Sequence, residues 1–462
     1  MKIFTGKWKY VFGLAAMLVV SLWGNIPASS APAIPLRGIV EGFYGTPWSQ
    51  EERLAMLRFC HDHKLNAYIY APKDDPYHRA KWREPYPADK LANLQALIDE
   101  AKKQQVKFIF AVSPGLDLQF SGPQGEADKL AMQKKLTAMY EMGVRDFAIF
   151  FDDIENKDGR GQAEFLNWLN ENFIAQYPDI NPLITVPTEY YRLDMEAEGK
   201  AKDYTRAFAT TLDRNILVLY TGEKVVPDGL TDEDYAKANE LYGRQLGIWW
   251  NYPVSDYLEA KLALGPIEKL PVKADIPAIF FNPMKYAELS RISLATGAEY
   301  AQNPARYDAR KAWQKALKEQ YGPLASAMED FADQNQHMVV SWAVIGPEDG
   351  ARMRQAMDAY WQNPDEQQRK KLLAELTKLN QSLTKLQKGL SAQVLAECQP
   401  HLQQLQRVVQ ADILGLAVLA GENTPAEFEQ ALVAVKAHDQ EVLVSEKTAR
   451  AFLDEVEQHL QK

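Results

Sequence analysis

Two adjacent carboxylates, Asp152 and Asp153, are the residues of this sequence best suited to chemistry. They follow an apolar segment, residues 146–151, whose pattern predicts a buried β-strand, so both acids stand at its carboxyl end. Holding two negative charges together costs free energy unless one is protonated or both are solvated and hydrogen-bonded. A strand that only fills a core does not need them. The pair therefore suggests acid–base catalysis, although Asp-Asp also begins helices and caps loops.

Polar residues follow several other strand candidates at the same relative position. Those that can contact a substrate are Gly42, Lys73, Tyr190, Asn251, Asp256 and Asn282. Each alone also fits a turn, a helix cap or packing. Aromatic residues, among them Tyr44, Trp249 and Trp250, interleave with them. Flat rings beside amides and carboxylates suit a sugar, because its C–H faces stack while its hydroxyls form hydrogen bonds.

The elements that would position these residues form a regular series. The strand candidates are Gly38–Phe43, Ala67–Tyr70, Lys107–Val112, Phe147–Phe151, Leu183–Val186, Ile216–Tyr220, Leu246–Trp250 and Ala278–Phe281. Amphipathic helical segments separate them, which is typical of parallel βα units. Eight such strands predict an α/β fold, a (β/α)8 TIM barrel with its active site at the carboxyl ends of the strands. An open doubly wound sheet is the alternative, but no Gly-rich phosphate loop follows the first strand.

The barrel is expected over residues 34–305, followed by an α-helical bundle domain over residues 306–462. Beyond Asn303 the strand pattern stops. A packing seam is indicated by leucines spaced alternately four and three residues apart. These are Leu372, Leu376, Leu379, Leu383, Leu386 and Leu390. Pro400 should kink or break this helical run. Trp313, Trp342 and Trp361 are expected to fill the core rather than a glycan surface.

Residues 1–33 predict a secretory signal peptide rather than part of the fold. Three lysines precede an apolar stretch, and small residues and prolines follow up to Ala33. The stretch is short for a membrane span, and no later segment is long and apolar enough for one. An uncleaved anchor is the rival interpretation. We expect an exported protein, secreted or periplasmic, without stable membrane insertion after cleavage.

Charge and cysteine content narrow the function classes. The formal net charge is −10, and removing the three lysines of the signal segment makes it −13. An acidic surface disfavours nucleic acid as a partner. Cys60 and Cys398 lie far apart in the chain, and two lone cysteines are more often buried thiols than a disulfide. No ligand spacing for a metal and no nucleotide loop is present, so neither a metal nor a cofactor is expected.

Several segments together resemble the family 84 glycoside hydrolases. These are β-N-acetylglucosaminidases that include the O-GlcNAcases and some bacterial enzymes called hyaluronidases. The resemblance rests, in order along the predicted barrel, on Arg37–Trp48, Tyr70–Asp75, Ser113–Gly115, Phe151–Ile154, Pro187–Tyr190, Trp249–Asp256 and Asn282–Met284. It implies a retaining exo-enzyme that removes terminal β-linked GlcNAc by substrate-assisted catalysis through an oxazoline, a known exception to the two-carboxylate scheme.

The resemblance also implies roles for individual residues. Asp152 would orient and polarise the 2-acetamido group, and Asp153 would protonate the leaving oxygen and later activate water. The implied sugar contacts are Gly42 and Lys73 at hydroxyls, Tyr190 at the acetamido carbonyl, Trp249 as pocket wall, and Asn251, Asp256 and Asn282 around the sugar. Many bacterial relatives carry an extra domain before the barrel, whereas here the signal segment runs almost directly into the first strand.

Two other functions stay open at this point. Lys73 could be the Schiff-base or proton-abstracting lysine of a barrel lyase or aldolase, although the phosphate-binding loops of such enzymes are missing. The protein could also be a non-catalytic glycan binder, although both acids are present. The sequence leaves the natural substrate open among O-linked GlcNAc, cell-wall fragments, mucin glycans and hyaluronan, and leaves oligomeric state open as well.

Overall fold

The computed structural model describes residues 32–461, and eight parallel strands within them close into a barrel. The barrel strands are β1 (Leu36–Glu41), β2 (Ala67–Tyr70), β3 (Lys107–Val112), β4 (Asp146–Phe150), β5 (Ile184–Val186), β6 (Leu217–Tyr220), β7 (Gly247–Trp250) and β8 (Ala278–Phe281). Each pairs in parallel with its neighbours in the chain, and β8 closes onto β1. The predicted barrel is confirmed, and the open doubly wound sheet is wrong.

The barrel interior is filled by alternate strand residues because side chains of a strand point to opposite faces in turn. Val40, Ile109, Phe150 and Phe280 belong to this inner core, and Trp249 closes its top by packing edge-on against Phe150 at 5.5 Å between ring centroids. The remaining apolar strand residues pack outwards against the helices. Because both faces are covered, the strands are apolar on both sides, as expected for parallel sheets.

Helices follow most of the strands on the outside of the barrel. They are α1 (Gln50–Asp62), α2 (Ala88–Lys103), α3 (Gly122–Glu141), α4 (Gly159–Asn172), α5 (Arg192–Met195), α6 (Asp203–Thr211), α7 (Asp232–Tyr242) and α8 (Ala287–Gln302). Ser49 begins α1 with a capping box that pairs its side chain with Glu52. After β7 the structure has only a short 3-10 turn, Asp256–Leu258, and an irregular loop up to β8.

The C-terminal region is mainly helical. It contains α9 (Ala309–Tyr321), α10 (Ala325–Ala332), α11 (Ala351–Gln362), α12 (Glu366–Gly389), α13 (Ala392–Leu419), α14 (Pro425–Lys436) and α15 (Ala449–Leu460). The leucines of the predicted seam from Leu372 to Leu386 are buried in α12. Pro400 was expected to kink or break the helical run, and the predicted break is wrong. The chain breaks at Leu390 instead, where Ser391 caps α13, and Pro400 lies inside that helix.

Two further expectations for this region need correction. The strand pattern does not stop at Asn303, because Met338–Val340 and Ala343–Ile345 form an antiparallel hairpin. Trp313 is buried, as predicted, and donates to the Leu264 carbonyl. Trp342 is not, since it stands at the hairpin turn with 48% of its surface exposed. Residues 338–345 are apolar, with several β-branched side chains, on both sides of Ser341, and this pattern alone predicts a hairpin.

Other expectations concern the termini and the cysteines. The predicted signal segment, residues 1–33, lies outside the described residues except for its last two, so that prediction is not tested by the structure. Within residues 32–461 no helix combines the length and the hydropathy that a membrane span needs. Cys60 and Cys398 are both buried and unpaired, as predicted.

Candidate active site

A pocket with a volume of about 490 Å³ opens at the carboxyl ends of the barrel strands. All nine residues singled out from the sequence line it. They are Asp152, Asp153, Gly42, Lys73, Tyr190, Trp249, Asn251, Asp256 and Asn282. Tyr44, Thr221, Tyr257 and Trp342 also contribute to its wall. The structure thus brings together residues that are up to 300 positions apart in the chain.

The alternation of the strands explains why so many of these side chains converge. Inward-facing core residues Val40, Ala71, Phe150, Leu219, Trp249 and Phe280 are each followed two positions later by a pocket residue. Those pocket residues are Gly42, Lys73, Asp152, Thr221, Asn251 and Asn282. Continuing the two-residue period past the end of each strand keeps the side chain pointing at the barrel axis. The same rule applied to the sequence would have found Thr221, which we did not predict.

Asp152 forms a buried ion pair with Lys73. The Lys73 ammonium donates to Asp152 Oδ2, and the two side chains are only 2% and 9% exposed. The other carboxylate oxygen, Oδ1, has no hydrogen-bond donor among residues 32–461. A buried acceptor without a partner costs free energy, so it is a natural partner for an N–H group entering the pocket. Lys73 forms its ion pair with Asp152 rather than with its chain neighbours Asp74 and Asp75.

Asp153 is exposed, and two tyrosines form hydrogen bonds with its carboxylate. The Tyr44 hydroxyl donates to Oδ2 and the Tyr190 hydroxyl donates to Oδ1, both at 2.8 Å. Arg79 donates to the Asp153 backbone carbonyl at 3.2 Å. Asp153 breaks the alternation rule, and its backbone φ of +55° turns its side chain into the pocket beside Asp152. The two acids therefore face the same space from different directions.

The tyrosines act as donors to Asp153 because they keep their protons. Burial raises the pKa of the Tyr44 and Tyr190 hydroxyls, and the charges of Asp153 and Asp152 raise both further. Tyr190 is itself fixed through its backbone carbonyl, which accepts from Thr221 N at 3.0 Å. In this structure the Tyr190 hydroxyl is thus already engaged with the carboxylate of Asp153.

Trp249 forms one wall, and a small amide network fixes it. Its Nε1 donates to Asn251 Oδ1 at 2.8 Å, and Asn282 Nδ2 donates to the same oxygen at 3.0 Å. Gly42 approaches the indole so closely that a Cβ there would lie 2.5 Å from the ring. The glycine is therefore needed for space, and its backbone N–H points to Asn282 Oδ1 at 3.4 Å.

Part of the pocket wall comes from the loop after β7 and from the C-terminal region. Asp256 begins the short turn after β7, and its Oδ2 accepts from Tyr44 N at 2.8 Å. Burial raises the pKa of Asp256. Next to it, Tyr257 packs against Trp342 with ring centroids 5.2 Å apart. Sequence reasoning assigned no pocket residue beyond Asn282, so Trp342 is the main residue that it missed.

The family model for β-N-acetylglucosaminidase matches residues 37–333, which is more than half of the chain. The chain belongs to glycoside hydrolase family 84. A second family model, hyaluronidase post-catalytic domain-like, matches residues 352–453. Membership of a family of glycoside hydrolases removes the support for a Schiff-base lyase, and the ion pair of Lys73 with Asp152 gives that lysine a different task.

Individual relatives agree with the family assignment. The Protein O-GlcNAcase of Rattus norvegicus and that of Mus musculus are each 35% identical over 238 residues, half of this chain and 26% of their own length. The chain thus spans about a quarter of the length of these curated relatives. The solved structure of CpGH84B is 38% identical with a TM-score of 0.85, covering 92% of this chain and 77% of that one. A mutant of the Thermobaculum terrenum O-GlcNAc hydrolase is 28% identical with a TM-score of 0.80, covering 92% and 94%.

Metal binding has no support from the described part of the chain. Residues 32–461 contain no group of three His, Cys, Asp or Glu side chains arranged to hold an ion. The chemistry available in the pocket is that of three carboxylates, one ammonium and three phenols, which belong to Asp152, Asp153, Asp256, Lys73, Tyr44, Tyr190 and Tyr257.

Proposed function

We propose that this protein is a retaining exo-β-N-acetylglucosaminidase that hydrolyses terminal β-linked GlcNAc with help from the substrate's own acetamido group. The observation that carries the proposal is the unequal setting of the two adjacent acids. Asp152 is buried on Lys73 with one oxygen unpartnered, while Asp153 is exposed and held by two tyrosines. Family membership and the names of the relatives, O-GlcNAcase and O-GlcNAc hydrolase, support the same conclusion.

In this proposal Asp152 acts on the acetamido group. Its Oδ1 accepts the amide N–H, which increases the electron density on the amide carbonyl oxygen. That oxygen attacks the anomeric carbon as the bond to the leaving oxygen breaks, the amide proton passes to Asp152, and a cyclic oxazoline forms. Lys73 holds Oδ2, so the carboxylate cannot rotate away from the amide. Because the nucleophile comes from the substrate, no second carboxylate is needed on the far side of the ring, which explains why the acids can be adjacent.

Asp153 acts on the leaving group in the same scheme. In its protonated form it donates a proton to the glycosidic oxygen and becomes a carboxylate, which then takes a proton from the water that opens the oxazoline. Each of the two displacements at the anomeric carbon inverts its configuration, so the overall configuration is retained. The two tyrosine hydroxyls fix the carboxyl group from either side, and a fixed donor is what general acid catalysis requires.

The sugar itself is proposed to be held by the remaining residues singled out from the sequence. Trp249 offers its indole face to the C–H side of the ring, and the amides of Asn251 and Asn282 with the carboxyl group of Asp256 face the hydroxyls. Gly42 and Lys73 complete the set at the pocket wall. The packed barrel core at Phe150 and Trp249 closes the bottom of the pocket, and the sugar is proposed to be a terminal one held above it.

A direct test compares three aryl glycosides on the purified protein. Aryl β-GlcNAc should be hydrolysed, its GalNAc epimer should test the hydroxyl contacts, and the analogue lacking the acetyl group should be inert. Loss of the acetyl group removes the nucleophile, so hydrolysis of that analogue at a comparable rate would contradict substrate assistance. Absence of turnover on aryl β-GlcNAc, with binding retained, would favour the glycan-binding alternative instead.

We further propose that the protein is exported, secreted or periplasmic, because residues 1–33 have the pattern of a signal peptide. Small-residue cleavage sites are offered by residues 26–28 and 31–33, so N-terminal sequencing of the mature protein should give a start at Ser29 or Ile34. A mature protein that begins at Met1 would contradict export by cleavage.

A further inference from the structure

A buried lysine joins the barrel to the hairpin that carries Trp342. Lys261 lies in the loop between β7 and β8, and its side chain is 2% exposed. Its ammonium donates to Asp349 Oδ2 at 2.7 Å and to Glu446 Oε2 at 2.5 Å. Asp349 follows the hairpin and is 3% exposed at its side chain, while Glu446 precedes α15. Three distant chain segments therefore meet at one ammonium group.

Asp349 closes the base of the hairpin. Its Oδ1 accepts from the backbone N–H groups of Gln336 and His337 at 2.7 and 2.9 Å, just before the first hairpin strand. Its backbone carbonyl accepts from Thr448 Oγ1 at 2.6 Å. Every oxygen of this residue is thus used to tie the two ends of the hairpin together or to fix them to neighbouring segments. The contact with Lys261 connects that base to the barrel loop.

The same barrel loop carries pocket residues. Asp256 and Tyr257 precede Lys261 by five and four positions, and Tyr257 packs against Trp342. The loop and the hairpin base also approach closely at Gly265, where a Cβ would lie 2.8 Å from Gln336 Cβ. The hairpin therefore contacts the barrel side through the ring contact at its tip and through the ion pair at its base. Two hydrogen bonds at the base accompany the ion pair, from Tyr252 Oη to the Gln336 carbonyl at 2.9 Å and from Leu264 N to the Asn335 carbonyl at 2.8 Å.

We propose that the Lys261–Asp349 ion pair is a positioning device that holds the Trp342 hairpin against the barrel and thereby sets the enzyme's preference for large leaving groups. The inference rests on the proposed function. Trp342 is exposed, lines the pocket beside Tyr257, and is not among the residues proposed to hold the sugar. Neither Lys261 nor Asp349 lines the pocket, so both act through the hairpin rather than on the substrate.

The test is a double-mutant cycle between Lys261→Met and Trp342→Ala. The measured quantity is kcat/KM for a GlcNAc-bearing glycopeptide divided by kcat/KM for β-GlcNAc fluoride, whose leaving group is a single atom. Each single change should lower this ratio about 3- to 10-fold, the scale of one aromatic contact. The loss should fall on KM for the glycopeptide. In the Trp342→Ala background, adding Lys261→Met should change the ratio less than about 2-fold, since residues that act through each other are not additive.

Removing one partner of a buried pair can unfold a protein, so a second variant carries the same test. Lys261→Met combined with Asp349→Asn removes both charges and leaves an oxygen to accept from the hairpin backbone. The matched control is Arg354→Met, which breaks an ion pair between α11 and α15 at 2.9 Å without touching the hairpin base. The control should leave the ratio unchanged.

Two results would overturn the positioning role. One is an unchanged ratio in folded Lys261→Met or in the Lys261→Met/Asp349→Asn variant. The other is an equal further loss when Lys261→Met is added to Trp342→Ala. Turnover of the fluoride by the wild-type protein separates these outcomes from a failure of the proposed function, because that substrate does not depend on the hairpin.

Discussion

Replacing Lys73 by Met should damage both stability and catalysis, because it strips the buried Asp152 of its partner. Lys73 is the donor to Asp152 Oδ2, and Oδ1 already lacks a donor among the described residues. Met keeps most of the apolar stem, so the change removes a charge rather than packing. After the change both oxygens of a carboxylate whose side chain is 9% exposed would be unpaired.

The expected size follows from that burial. Breaking a buried ion pair by removing one partner costs about 3–5 kcal/mol, since the remaining charge is left without compensation. The loss of orientation at Asp152 should lower kcat/KM on aryl β-GlcNAc by roughly 100-fold, the scale of a misplacement of about 1 Å. Adding Asp152→Asn to Lys73→Met removes the stranded charge and should restore most of the stability but none of the activity.

The strand that carries Asp152 supplies its own control. Lys107 pairs at 3.3 Å with Asp146 at the opposite end of β4, but its side chain is 41% exposed. Lys107→Met should therefore cost only about 0–1 kcal/mol and leave kcat/KM unchanged. Urea unfolding and steady-state kinetics on the three variants measure both quantities. Lys73→Met with the stability and activity of the control would refute the role given to this pair.

Three other predictions follow from the site and from the packing beside it. Asp153→Asn should slow substrates with poor leaving groups roughly 100- to 10,000-fold and activated aryl glycosides far less, because only the former need full protonation. An equal loss on both classes would show that Asp153 is not the acid. Fluorination of the substrate's acetyl group should progressively lower kcat/KM, and a rate insensitive to fluorine would contradict substrate assistance. Asp152→Asn should weaken binding of a thiazoline mimic of the oxazoline. Burial raises the pKa of Glu397 from 4.5 to about 7, although its carboxyl group accepts from two backbone N–H groups at the start of α8. A raised pKa stabilises the fold at low pH, so about 3 kcal/mol should be lost as the pH rises from 4.5 to about 7, and Glu397→Gln should flatten that slope in urea unfolding.

The barrel could be predicted because its signal is local and repeated. Short β-branched runs, each followed by an amphipathic helix, need no knowledge of distant contacts, and β2 and β3 match their predicted bounds. The ends of β1 and β4 fell one or two residues from their predicted positions, since apolar residues such as Phe43 and Phe151 continue past the last ladder pair. Strand ends are set by pairing with neighbours, which the sequence of one strand does not contain.

The pocket was predictable in part for the same reason. Residues at strand ends point to the axis by alternation, and most of those singled out lie there. Trp342 and the Lys261–Asp349 pair could not be found this way, because they come from a hairpin and an irregular loop that meet only in three dimensions. Likewise, nothing in the sequence near Asp153 reveals that Tyr44, more than 100 residues earlier, would hold its carboxyl group.

The left-handed backbone at Asp153 has a practical consequence for anyone who wishes to trap a bound glycan. A φ of +55° is tolerated by Gly, Asn and Asp but is strained by about 1 kcal/mol or more for other side chains. An alanine at this position would add a shifted loop to the loss of the acid, and the neighbouring Asp152 would move with it. Asparagine keeps both the backbone shape and two atoms that the tyrosines can contact, so it is the substitution of choice for an inactive, substrate-holding form.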